Sequence, residues 1–423
     1  MKHEFSLAYA QELDASDSLN RFRSRFLFPQ HEGRAAVYFT GNSLGLQPVS
    51  TRDYVLQELN DWQTFGVEGH FEAKNPWFSY HEMFAKPLAK LCGAKEKEVV
   101  AMGSLTNNLH LLMVSFYRPD AKRNKIICEK KAFPSDTYAL QSQIRFHSFD
   151  YREALIEIAP REGEYTIHED DILAAIELHK DSLALVMIGG VNYFTGQVFD
   201  MQKITRAAHD AGAFCGWDLA HGIGNIELKL HEWQVDFAAW CSYKYLNSSP
   251  GSVAGMFVHE KHLNNPAIPR FEGWWGTDPQ TRFLMEDTFR PMDSAWAWQL
   301  SNAPVLTMAA HKAALDIFEE AGFENLRTKM RVMNSYLDFV LDEIIRMKGA
   351  GKMEIITPRK AEERGCQVSL VFPGRGKELF TALTQKGVIA DWREPNVVRI
   401  APVPLYNSIE DIYRFGEILM EIL

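Results

Sequence analysis

Short apolar runs rich in β-branched residues recur through the middle of the chain and alternate with stretches of helical periodicity. Seven such runs predict strands, at 98–102, 124–128, 154–159, 183–188, 213–218, 236–241 and 255–259. Helix-like stretches lie between most of them, for example at 107–117, 169–179 and 201–211. Strands this apolar are typical of a sheet covered on both faces. The alternation therefore predicts an α/β fold, with a mostly parallel sheet flanked by helices.

The pattern changes from about Pro304 onward. A long helical stretch runs to about Met347, followed by strand-like runs at 353–356, 367–372 and 397–401 and by helices at 377–386 and 409–423. These elements predict a smaller α+β domain at 304–423, after an N-terminal arm at 1–48 and a large domain at 49–303. A segment rich in Trp, Pro and Arg lies at 266–304 with weak periodicity, which is typical of functional or interfacial loops.

Composition narrows the class of protein. The 423 residues include 46% hydrophobic side chains and carry a formal net charge of −10, spread without long blocks of one sign. This composition supports a globular core and disfavours nucleic acid or a membrane surface as a partner. No stretch is apolar enough to span a membrane, and the first residues lack the pattern of a signal peptide. The five cysteines are odd in number and widely spaced, which argues against a disulfide framework and favours the cytoplasm.

Two ionisable residues stand at the ends of predicted buried strands. Asp218 ends the run at 213–218, and Lys244 follows the run at 236–241. Ligands of open α/β sheets bind beyond these strand ends. A buried lysine with a lowered pKa can form an imine, and a nearby carboxylate can pair with a protonated pyridine nitrogen. The pair therefore favours pyridoxal phosphate chemistry, although a strand-end Asp or Lys is also common as a cap or a solvated charge.

Residues 103–106, with the sequence Gly-Ser-Leu-Thr, are a candidate phosphate site. They lie between a predicted strand and the helix that begins near Asn107. Small and hydroxyl residues at a helix N-terminus present free backbone N–H groups to a phosphate. The same residues would also suit an ordinary helix N-cap. Two other glycine-containing strings, PGRGKE at 373–378 and HGIGN at 221–225, lack the spacing of known nucleotide-binding loops.

A metal site is the alternative for Cys215, Asp218 and His221, because their spacing could suggest one. The period of two along a strand puts Cys215 and Asp218 on opposite faces, which argues against shared ligation. We therefore predict no metal. His221 is expected close to Asp218 and to the pyridine ring with which Asp218 would pair. The alternative is that His221 is an ordinary core or surface histidine.

Eight strings of the sequence resemble the kynureninase family, in the expected order along nearly the whole chain. They are GNSLGLQP (41–48), FPSD (133–136), VNYFTGQ (191–197), DLAH (218–221), CSYKYLN (241–247), GWWG (273–276), QLSNAP (299–304) and RIAPVPLYNS (399–408). Kynureninases are pyridoxal-phosphate enzymes of the aspartate-aminotransferase fold, also called fold type I. The resemblance implies hydrolysis of L-kynurenine or 3-hydroxy-L-kynurenine to L-alanine plus anthranilate or 3-hydroxyanthranilate, in tryptophan degradation or de novo NAD synthesis.

The resemblance also implies roles for residues around the cofactor. Lys244 would be the Schiff-base lysine and proton shuttle, and Asp218 would hold the pyridinium nitrogen. Tyr243 would reach the phosphate and act as an acid–base group near the substrate. The remaining implied cofactor-binding residues, of which Phe133 would stack on the ring, are Leu105, Thr106, Phe133, Pro134, Ser135, Asp136 and His221.

Further implied positions concern the substrate and a second subunit. Trp274 and Asn302 match positions that close the cofactor site from the partner subunit of a homodimer with shared active sites. Arg399 would form a bidentate pair with the substrate's α-carboxylate, as a planar guanidinium suits. Ser43 and His70 match positions near the aromatic end of the substrate. The presence of both His70 and Asn302 resembles enzymes that favour the 3-hydroxylated substrate.

One position departs from the family, and two alternative functions stay open. Position 189 commonly carries Ser or Thr in the family but is glycine here, so Gly189 offers no side-chain ligand to the cofactor. One alternative is another fold type I enzyme, a class V aminotransferase or a cysteine desulfurase. A desulfurase needs a nucleophilic cysteine after the lysine, where the chain offers only Cys366 in a strand-like run. The other alternative is a non-catalytic binding protein of the same fold.

Overall fold

A computed structural model describes residues 3–423 of the chain. The helices are α1 (Leu7–Ser16), α2 (Thr51–Phe65), α3 (Gly69–Glu72), α4 (Ala85–Cys92), α5 (Leu105–Phe116), α6 (Pro134–Phe146), α7 (Tyr151–Ala154), α8 (Glu169–His179), α9 (Met201–Asp210), α10 (Val305–Ala321), α11 (Phe323–Lys348), α12 (Gly376–Gln385) and α13 (Ile409–Ile422). The strands are β1 (Phe26–Leu27), β2 (Gln30–His31), β3 (Arg34–Ala35), β4 (Val37–Tyr38), β5 (Gln47–Pro48), β6 (Val99–Ala101), β7 (Lys125–Glu129), β8 (Leu155–Ile158), β9 (Leu183–Gly189), β10 (Phe214–Asp218), β11 (Phe237–Cys241), β12 (Ala254–Val258), β13 (Glu354–Ile355), β14 (Val368–Val371), β15 (Val388–Ile389), β16 (Asp391–Arg393) and β17 (Val397–Ile400). The seven strands predicted for the middle of the chain are β6 to β12 and are all present.

A seven-stranded sheet forms the centre of the fold, in the order β6-β12-β11-β10-β9-β7-β8. Neighbouring strands from β11 to β8 pair in parallel, whereas β12 runs antiparallel to β11 and β6. Alternate residues of a strand point to opposite faces of the sheet, and both faces of this sheet are buried. In β9, Val186 and Ile188 join one apolar cluster, whereas Leu185 and Met187 join the other. The predicted fold class, a mostly parallel sheet flanked by helices, is confirmed.

The C-terminal region contains an antiparallel four-stranded sheet in the order β13-β14-β17-β16. The helical stretch predicted from about Pro304 to about Met347 is present, but it is divided into two helices, α10 and α11. Gly322 stands between them with a φ of 75°, a left-handed value that glycine adopts readily and that ends a helix. The buried Leu315 and Phe318 of α10 join an apolar cluster of the large sheet. The predicted domain boundary at 304 therefore stays a prediction.

The N-terminal arm packs against the C-terminal region and reaches the end of β11. β4 pairs in parallel with β15, and Thr40 forms a bridge with Ala401. Asn407 Nδ2 donates to Tyr38 O at 3.1 Å, across a sequence separation of 369 residues. These contacts hold residues 41–45 beside the loop that follows β11. Distant parts of the sequence thus meet at the C-terminal edge of the large sheet.

The surface carries a continuous row of aromatic rings. Ring centroids lie 5.8 Å apart for Phe71 and Phe78, 5.7 Å for Phe78 and Phe283, and 5.7 Å for Phe283 and Trp274. We call these four residues the aromatic face. Exposed aromatic and apolar side chains in a row are typical of an interaction surface. Within residues 3–423, no helix combines the length and the apolar character needed to cross a membrane.

Candidate active site

A cavity of about 240 Å³ opens beyond the C-terminal ends of β7, β9 and β10. Glu129, Gly189 and Asp218 are the last residues of these strands, and Asp218 is in register with Gly189. The edge where parallel strands end is where ligands of open α/β sheets bind. The residues that line the cavity are Asn42, Ser43, Leu105, Glu129, Phe133, Ser135, Asp136, Gly189, Val191, Tyr193, Asp218, Ala220, His221, Tyr243, Lys244 and Arg393.

Asp218 presents a buried carboxyl to this cavity. Its Oδ1 accepts a hydrogen bond from Ala220 N at 2.6 Å, and its backbone oxygen accepts one from Gly190 N at 2.8 Å. Burial raises the pKa of Asp218 above its ordinary value, although Asp136, Ala220 and Lys244 oppose that rise. A cation bound next to Asp218 would return the carboxyl to its ionised form.

A second buried carboxyl, that of Asp136, lies beside Asp218. Asp136 belongs to the first turn of α6, which begins at Pro134 directly after Phe133. Burial raises the pKa of Asp136 well above its ordinary value, and the charge of Asp218 raises it further. Within the described residues, Asp136 Oδ1 has no hydrogen-bond partner. A polar atom of a ligand would satisfy this buried oxygen.

Lys244 lies in the loop after β11, where its Nζ is 5.7 Å from the centroid of the Phe133 ring. The N-terminal arm fixes this loop, because Gly45 N donates to Tyr243 O at 2.8 Å. A Cβ added at Gly45 would lie closer than 3.0 Å to Lys244 O and to the side chain of Asn247. Only glycine permits this approach of two backbones. The position of the lysine amine therefore depends on the arm.

Two neutral acid–base groups line the same cavity. Burial raises the pKa of Tyr243 far above its ordinary value, and Cys241 raises it further, so the phenol is protonated at neutral pH. Burial lowers the pKa of His221, and the charges of Lys244 and Arg399 lower it further, so the imidazole is neutral. In the part of the chain that the structure describes, His221 Nδ1 has no hydrogen-bond partner.

The N-terminus of α5 reaches the edge of the cavity. Ser104 caps the helix, since its hydroxyl accepts a hydrogen bond from Asn107 N at 3.5 Å. Leu105 lines the cavity, whereas Thr106 is not among the lining residues. Gly103 has a φ of 56°, which favours glycine in the turn before the helix. The first N–H groups of a helix have no intrahelical partner, so this end is both an ordinary cap and a place that can receive a phosphate.

Two arginines of the small sheet share one carboxylate beside the cavity. Arg399 on β17 donates to Asp391 and, at 2.6 Å, to Tyr193 O. Arg393 on β16 forms an ion pair with Asp391 at 3.1 Å and lines the cavity, whereas Arg399 does not. Burial lowers the pKa of Arg399 to about 10. Within residues 3–423, the buried Nε atoms of both arginines lack partners, so each guanidinium keeps a free N–H donor.

Six of the predicted site residues do not line the cavity. They are Thr106 and Pro134, which are next to lining residues in the sequence, Arg399, which lies beside the cavity, and His70, Trp274 and Asn302. The His70 ring lies 6.4 Å from that of Phe71 in the aromatic face, to which Trp274 also belongs. Trp274 is 45% exposed, and Asn302 is exposed as well. The contribution of Trp274 and Asn302 to a partner's site, for which a surface position is required, stays a prediction, as does the place of His70 near the aromatic end of the substrate.

Besides Gly189, six cavity-lining residues were not predicted as site residues from the sequence: Asn42, Glu129, Val191, Tyr193, Ala220 and Arg393. Asn42 and Tyr193 stand within strings that resemble the family, GNSLGLQP and VNYFTGQ, without having been singled out. Glu129 directly follows an apolar run, which is the same pattern that identified the aspartate of β10. Arg393 gave no such pattern, because β16 is a short polar strand that hydrophobic periodicity does not reveal.

The cysteines give no support to thiol or metal chemistry at this cavity. All five are free and buried, and none lines the cavity. Cys215 accepts a hydrogen bond from Thr205 Oγ1 at 3.5 Å within the core. Burial raises the pKa of Cys366 far above its ordinary value, the opposite of what an activated nucleophile needs.

Another group of possible metal ligands lies elsewhere and is engaged in hydrogen bonds. Glu98, His231 and His259 bring their ligand atoms close together. Glu98 Oε1, however, accepts a hydrogen bond from Glu260 N at 2.8 Å and is hydrogen-bonded to His231 Nδ1 at 2.9 Å. His259 Nδ1 accepts a hydrogen bond from Lys261 N at 3.1 Å. The cluster is therefore explained as a structural network.

A larger groove, of about 1480 Å³, lies elsewhere in the molecule and is lined by residues of 166–170, 197–203, 226–233, 327–338 and 356–364. Its charged lining mixes both signs, for example Arg331 and Arg359 with Asp200 and Glu362. It contains neither the strand-end carboxyls nor the lysine. The smaller cavity is therefore the candidate active site.

The chain is similar to proteins named kynureninase over nearly its whole length. The family model for the kynureninase C-terminal domain matches residues 326–419. A kynureninase of Flavobacterium psychrophilum is 56% identical over 414 residues, which cover 98% of this chain and 97% of that protein. A kynureninase of Nematostella vectensis is 45% identical over 433 residues, which cover 98% of this chain and 93% of that protein.

Solved structures with low sequence identity share the fold. An apo cysteine desulfurase from Thermococcus onnurineus NA1 has a TM-score of 0.74 at 18% identity, covering 92% of this chain and 94% of its own. The cystine C-S lyase C-DES, in complex with cysteine persulfide, has a TM-score of 0.75 at 14% identity, covering 91% and 97%. At these identities the likeness extends to the fold alone.

Proposed function

We propose, because this chain belongs to the kynureninase family, that it hydrolyses L-kynurenine, 3-hydroxy-L-kynurenine or both, with pyridoxal 5'-phosphate as cofactor. The products are L-alanine plus anthranilate or 3-hydroxyanthranilate. The observation that carries the proposal is a single one: Asp218 and Lys244, from the ends of two buried strands, face the same cavity. The high identity over nearly the full length supports the choice of substrate.

The residues around the cavity fit this cofactor. Asp218 is a buried carboxyl whose raised pKa calls for a cationic partner, which a protonated pyridine nitrogen provides. Asp136 Oδ1 and His221 Nδ1 are buried polar atoms without partners in the described chain. The Phe133 ring and the Lys244 amine stand next to each other on the cavity wall. The residues that would hold the cofactor are Leu105, Thr106, Phe133, Pro134, Ser135, Asp136, Asp218, His221, Tyr243 and Lys244.

Bound there, pyridoxal phosphate supplies an electron sink and a covalent attachment point for an amine. Lys244 Nζ takes the proton from the substrate carbon that bears the amino group and later returns one. Asp218, ionised in the presence of a ring cation, keeps the ring nitrogen protonated. Water must add to the side-chain ketone, and cleavage of the adjacent carbon–carbon bond needs a proton donor. The phenol of Tyr243, protonated at neutral pH, is the donor proposed for this step.

The two arginines suit the substrate's α-carboxylate. Arg399 is buried and held by Asp391 and Tyr193, which fixes its planar guanidinium. Arg393 faces the cavity directly and shares the same aspartate. We assign carboxylate binding to Arg399, with Arg393 beside it. Ser43, on the wall formed by the N-terminal arm, is proposed to contact the aromatic end of the substrate.

The active protein is proposed to be a homodimer in which each subunit completes its partner's cavity. The aromatic face, and Trp62 of α2, which is 61% exposed, offer apolar side chains suited to contact with a second copy. A cavity of about 240 Å³ is smaller than the roughly 300 Å³ or more of complete ligand pockets. Trp274 belongs to the aromatic face, the His70 ring lies beside it, and Asn302 is exposed, as residues contributed to a partner would be.

Two further parts of the proposal concern location and substrate preference. The cytoplasm suits a chain with five free cysteines. The 3-hydroxylated substrate is the proposed preference, since His70 and Asn302 would offer polar groups to its extra hydroxyl from across the dimer interface. Comparison of kcat/KM for the two substrates tests the preference, and a higher value for L-kynurenine would contradict it.

The decisive experiment uses purified protein loaded with pyridoxal phosphate. Loss of kynurenine absorbance and release of alanine are followed together, for the wild type, Lys244→Ala and Lys203→Ala. Lys203 is a surface residue in an exposed ion pair with Asp170, so its replacement is a matched control. We expect Lys244→Ala to lose roughly 10²- to 10⁴-fold or more in rate and Lys203→Ala to stay within twofold of the wild type.

Two outcomes would reject the proposal. Turnover of neither substrate by the loaded wild type would move the chain to another reaction of the same cofactor. A Lys244→Ala protein with the wild-type rate would remove the lysine from the chemistry. Release of sulfide from cysteine would favour the desulfurase alternative, which the burial of Cys366 argues against.

A further inference from the structure

Position 189, at the end of β9, is a glycine without a side chain, and the carboxyl of Glu129 from the neighbouring strand β7 lies beside it. In the sheet order, β9 lies between β10 and β7, which end at Asp218 and Glu129. A Cβ added at Gly189 would lie 3.2 Å from Glu129 Oε1, tighter than most real contacts. The carboxyl of Glu129 therefore occupies the space into which a side chain at position 189 would point.

Glu129 is held in this place by a defined contact. Its Oε2 accepts a hydrogen bond from Asn192 Nδ2 at 3.1 Å. Asn192 is fixed in turn, because its Oδ1 accepts hydrogen bonds from Thr195 N at 2.9 Å and from Phe194 N at 3.1 Å. Glu129 is only 3% exposed and lines the cavity. Its orientation is thus set by the loop after β9 and not by solvent.

The charged groups around Glu129 come from four elements. Asp218 faces it from β10 and Asp136 from α6, and two basic residues line the same cavity, Lys244 in the loop after β11 and Arg393 on β16. Burial raises the pKa of Glu129 to about 7, which Asn192 opposes and the charge of Asp218 reinforces. Three carboxyls, one amine and one guanidinium cannot all be charged independently in so small a buried volume.

We propose that Glu129 is a positioning residue of the cofactor site, whose carboxyl reaches across Gly189 and supports the protonated ring nitrogen held by Asp218. The inference rests on the proposed function, since it takes pyridoxal phosphate as the ligand of the cavity. Glu129 and Gly189 form a matched pair: the glycine makes room, and the carboxyl fills that room with a charge instead of a hydroxyl. Above its pKa, Glu129 adds a second negative charge near the ring cation.

The test measures cofactor affinity and does not depend on turnover. Apoprotein is titrated with pyridoxal phosphate, and the absorbance of the bound chromophore gives the dissociation constant at pH 6 and pH 8. At pH 6 Glu129 is mostly protonated in the apoprotein, so Glu129→Gln and the wild type should bind within about twofold of each other. At pH 8 the wild type has the extra charge and should bind about tenfold more tightly, which corresponds to a shift of about one unit in the pKa of Glu129 on binding.

Two further variants keep the inference falsifiable if Glu129→Gln folds poorly. Gly189→Ser places a side chain against Glu129 and should weaken cofactor binding about tenfold. Glu129→Ala combined with Gly189→Ser removes that clash and should return the affinity at pH 6 to within threefold of the wild type. Glu157→Gln, on the exposed side of the neighbouring β8, is the matched control and should not change the affinity at either pH.

The outcomes separate this inference from the proposed function. Equal binding by the wild type and Glu129→Gln at both pH values would overturn the inference alone, as would wild-type affinity in Gly189→Ser. Failure of the wild type to bind pyridoxal phosphate would overturn the proposed function and the inference with it. If the dissociation constant of Glu129→Gln divided by that of the wild type rises from about one at pH 6 to about ten at pH 8, the result supports both the proposed function and the inference.

Discussion

The contact between Gly45 and the lysine loop makes a sharp prediction for Gly45→Ala. The added methyl group would lie closer than 3.0 Å to Lys244 O and 2.8 Å from Asn247 Cα. Ordinary van der Waals contact begins at 3.4 Å, and two of these atoms belong to the backbone. A side-chain rotation therefore cannot relieve the overlap, so the arm or the lysine loop must move.

The size of the effect follows from the required displacement. A retreat of roughly 1 Å restores ordinary contact, and it moves the lysine amine relative to the Phe133 ring by a similar distance. Misplacement of a reacting group by about 1 Å costs on the order of 10²-fold in rate, or about 2.7 kcal/mol of transition-state stabilisation. Overpacking at this junction should also lower the free energy of unfolding by about 1–3 kcal/mol.

The assay compares Gly45→Ala with Gly351→Ala, a glycine with open space around its Cβ position. We expect Gly351→Ala to match the wild type in kcat/KM and in bound chromophore per subunit. Gly45→Ala should lose about 10²-fold in kcat/KM of cofactor-saturated protein, while circular dichroism shows an unchanged fold. A Gly45→Ala protein within twofold of the wild type would refute the argument that the arm positions the lysine.

Three further predictions concern other parts of the molecule. Burial would raise the pKa of Asp236, but hydrogen bonds from His209 and other neighbours hold that pKa well below its ordinary value. Asp236→Asn should therefore lower the free energy of unfolding by about 3 kcal/mol. Asp170→Asn, at an exposed position, should not change it and is the control. A depressed pKa stabilises the fold fully only above the unfolded-state pKa of about 4. Urea unfolding should therefore show the full difference in stability between wild type and Asp236→Asn at pH 7. The difference should be smaller at pH 3, as the pH falls toward the folded-state pKa. Arg399→Lys should raise KM about tenfold and leave kcat within threefold, because lysine keeps the charge but loses the planar fork; an unchanged KM would place the carboxylate elsewhere. If the proposed homodimer forms, Trp62→Glu should convert it into monomers of reduced activity in size-exclusion chromatography with light scattering, and an unchanged dimer mass would exclude α2 from the interface.

The large sheet could be predicted from the sequence because each strand is a short apolar run. Burial of both faces removes the need for polar residues, so β6 to β12 stand out from the helices between them. Strand direction did not follow from the same pattern, and the antiparallel β12 is as apolar as its parallel neighbours. The division between α10 and α11 was missed because apolar periodicity continues across Gly322, and only its positive φ marks the end of the first helix.

The candidate site was predictable where a residue follows a buried strand, as Asp218 and Lys244 do. Glu129 follows the same rule. No pattern along the sequence, however, predicts that Gly189, two strands later in the chain, leaves room for its side chain. That information lies in the sheet order, which places β7 next to β9. Arg393 was hidden for a different reason, since β16 is too short and too polar to give a period.

The bridge between the N-terminal arm and residues 401–407 has a consequence for synthesis on the ribosome. The arm is synthesised long before residues 401–407, so Thr40 cannot pair with Ala401, nor can Tyr38 O accept a hydrogen bond from Asn407, until those residues have been translated. A nascent chain stalled before residue 400 would carry the strands of the large sheet but lack these contacts, so we expect the cofactor site to be completed only after residues 401–407 emerge.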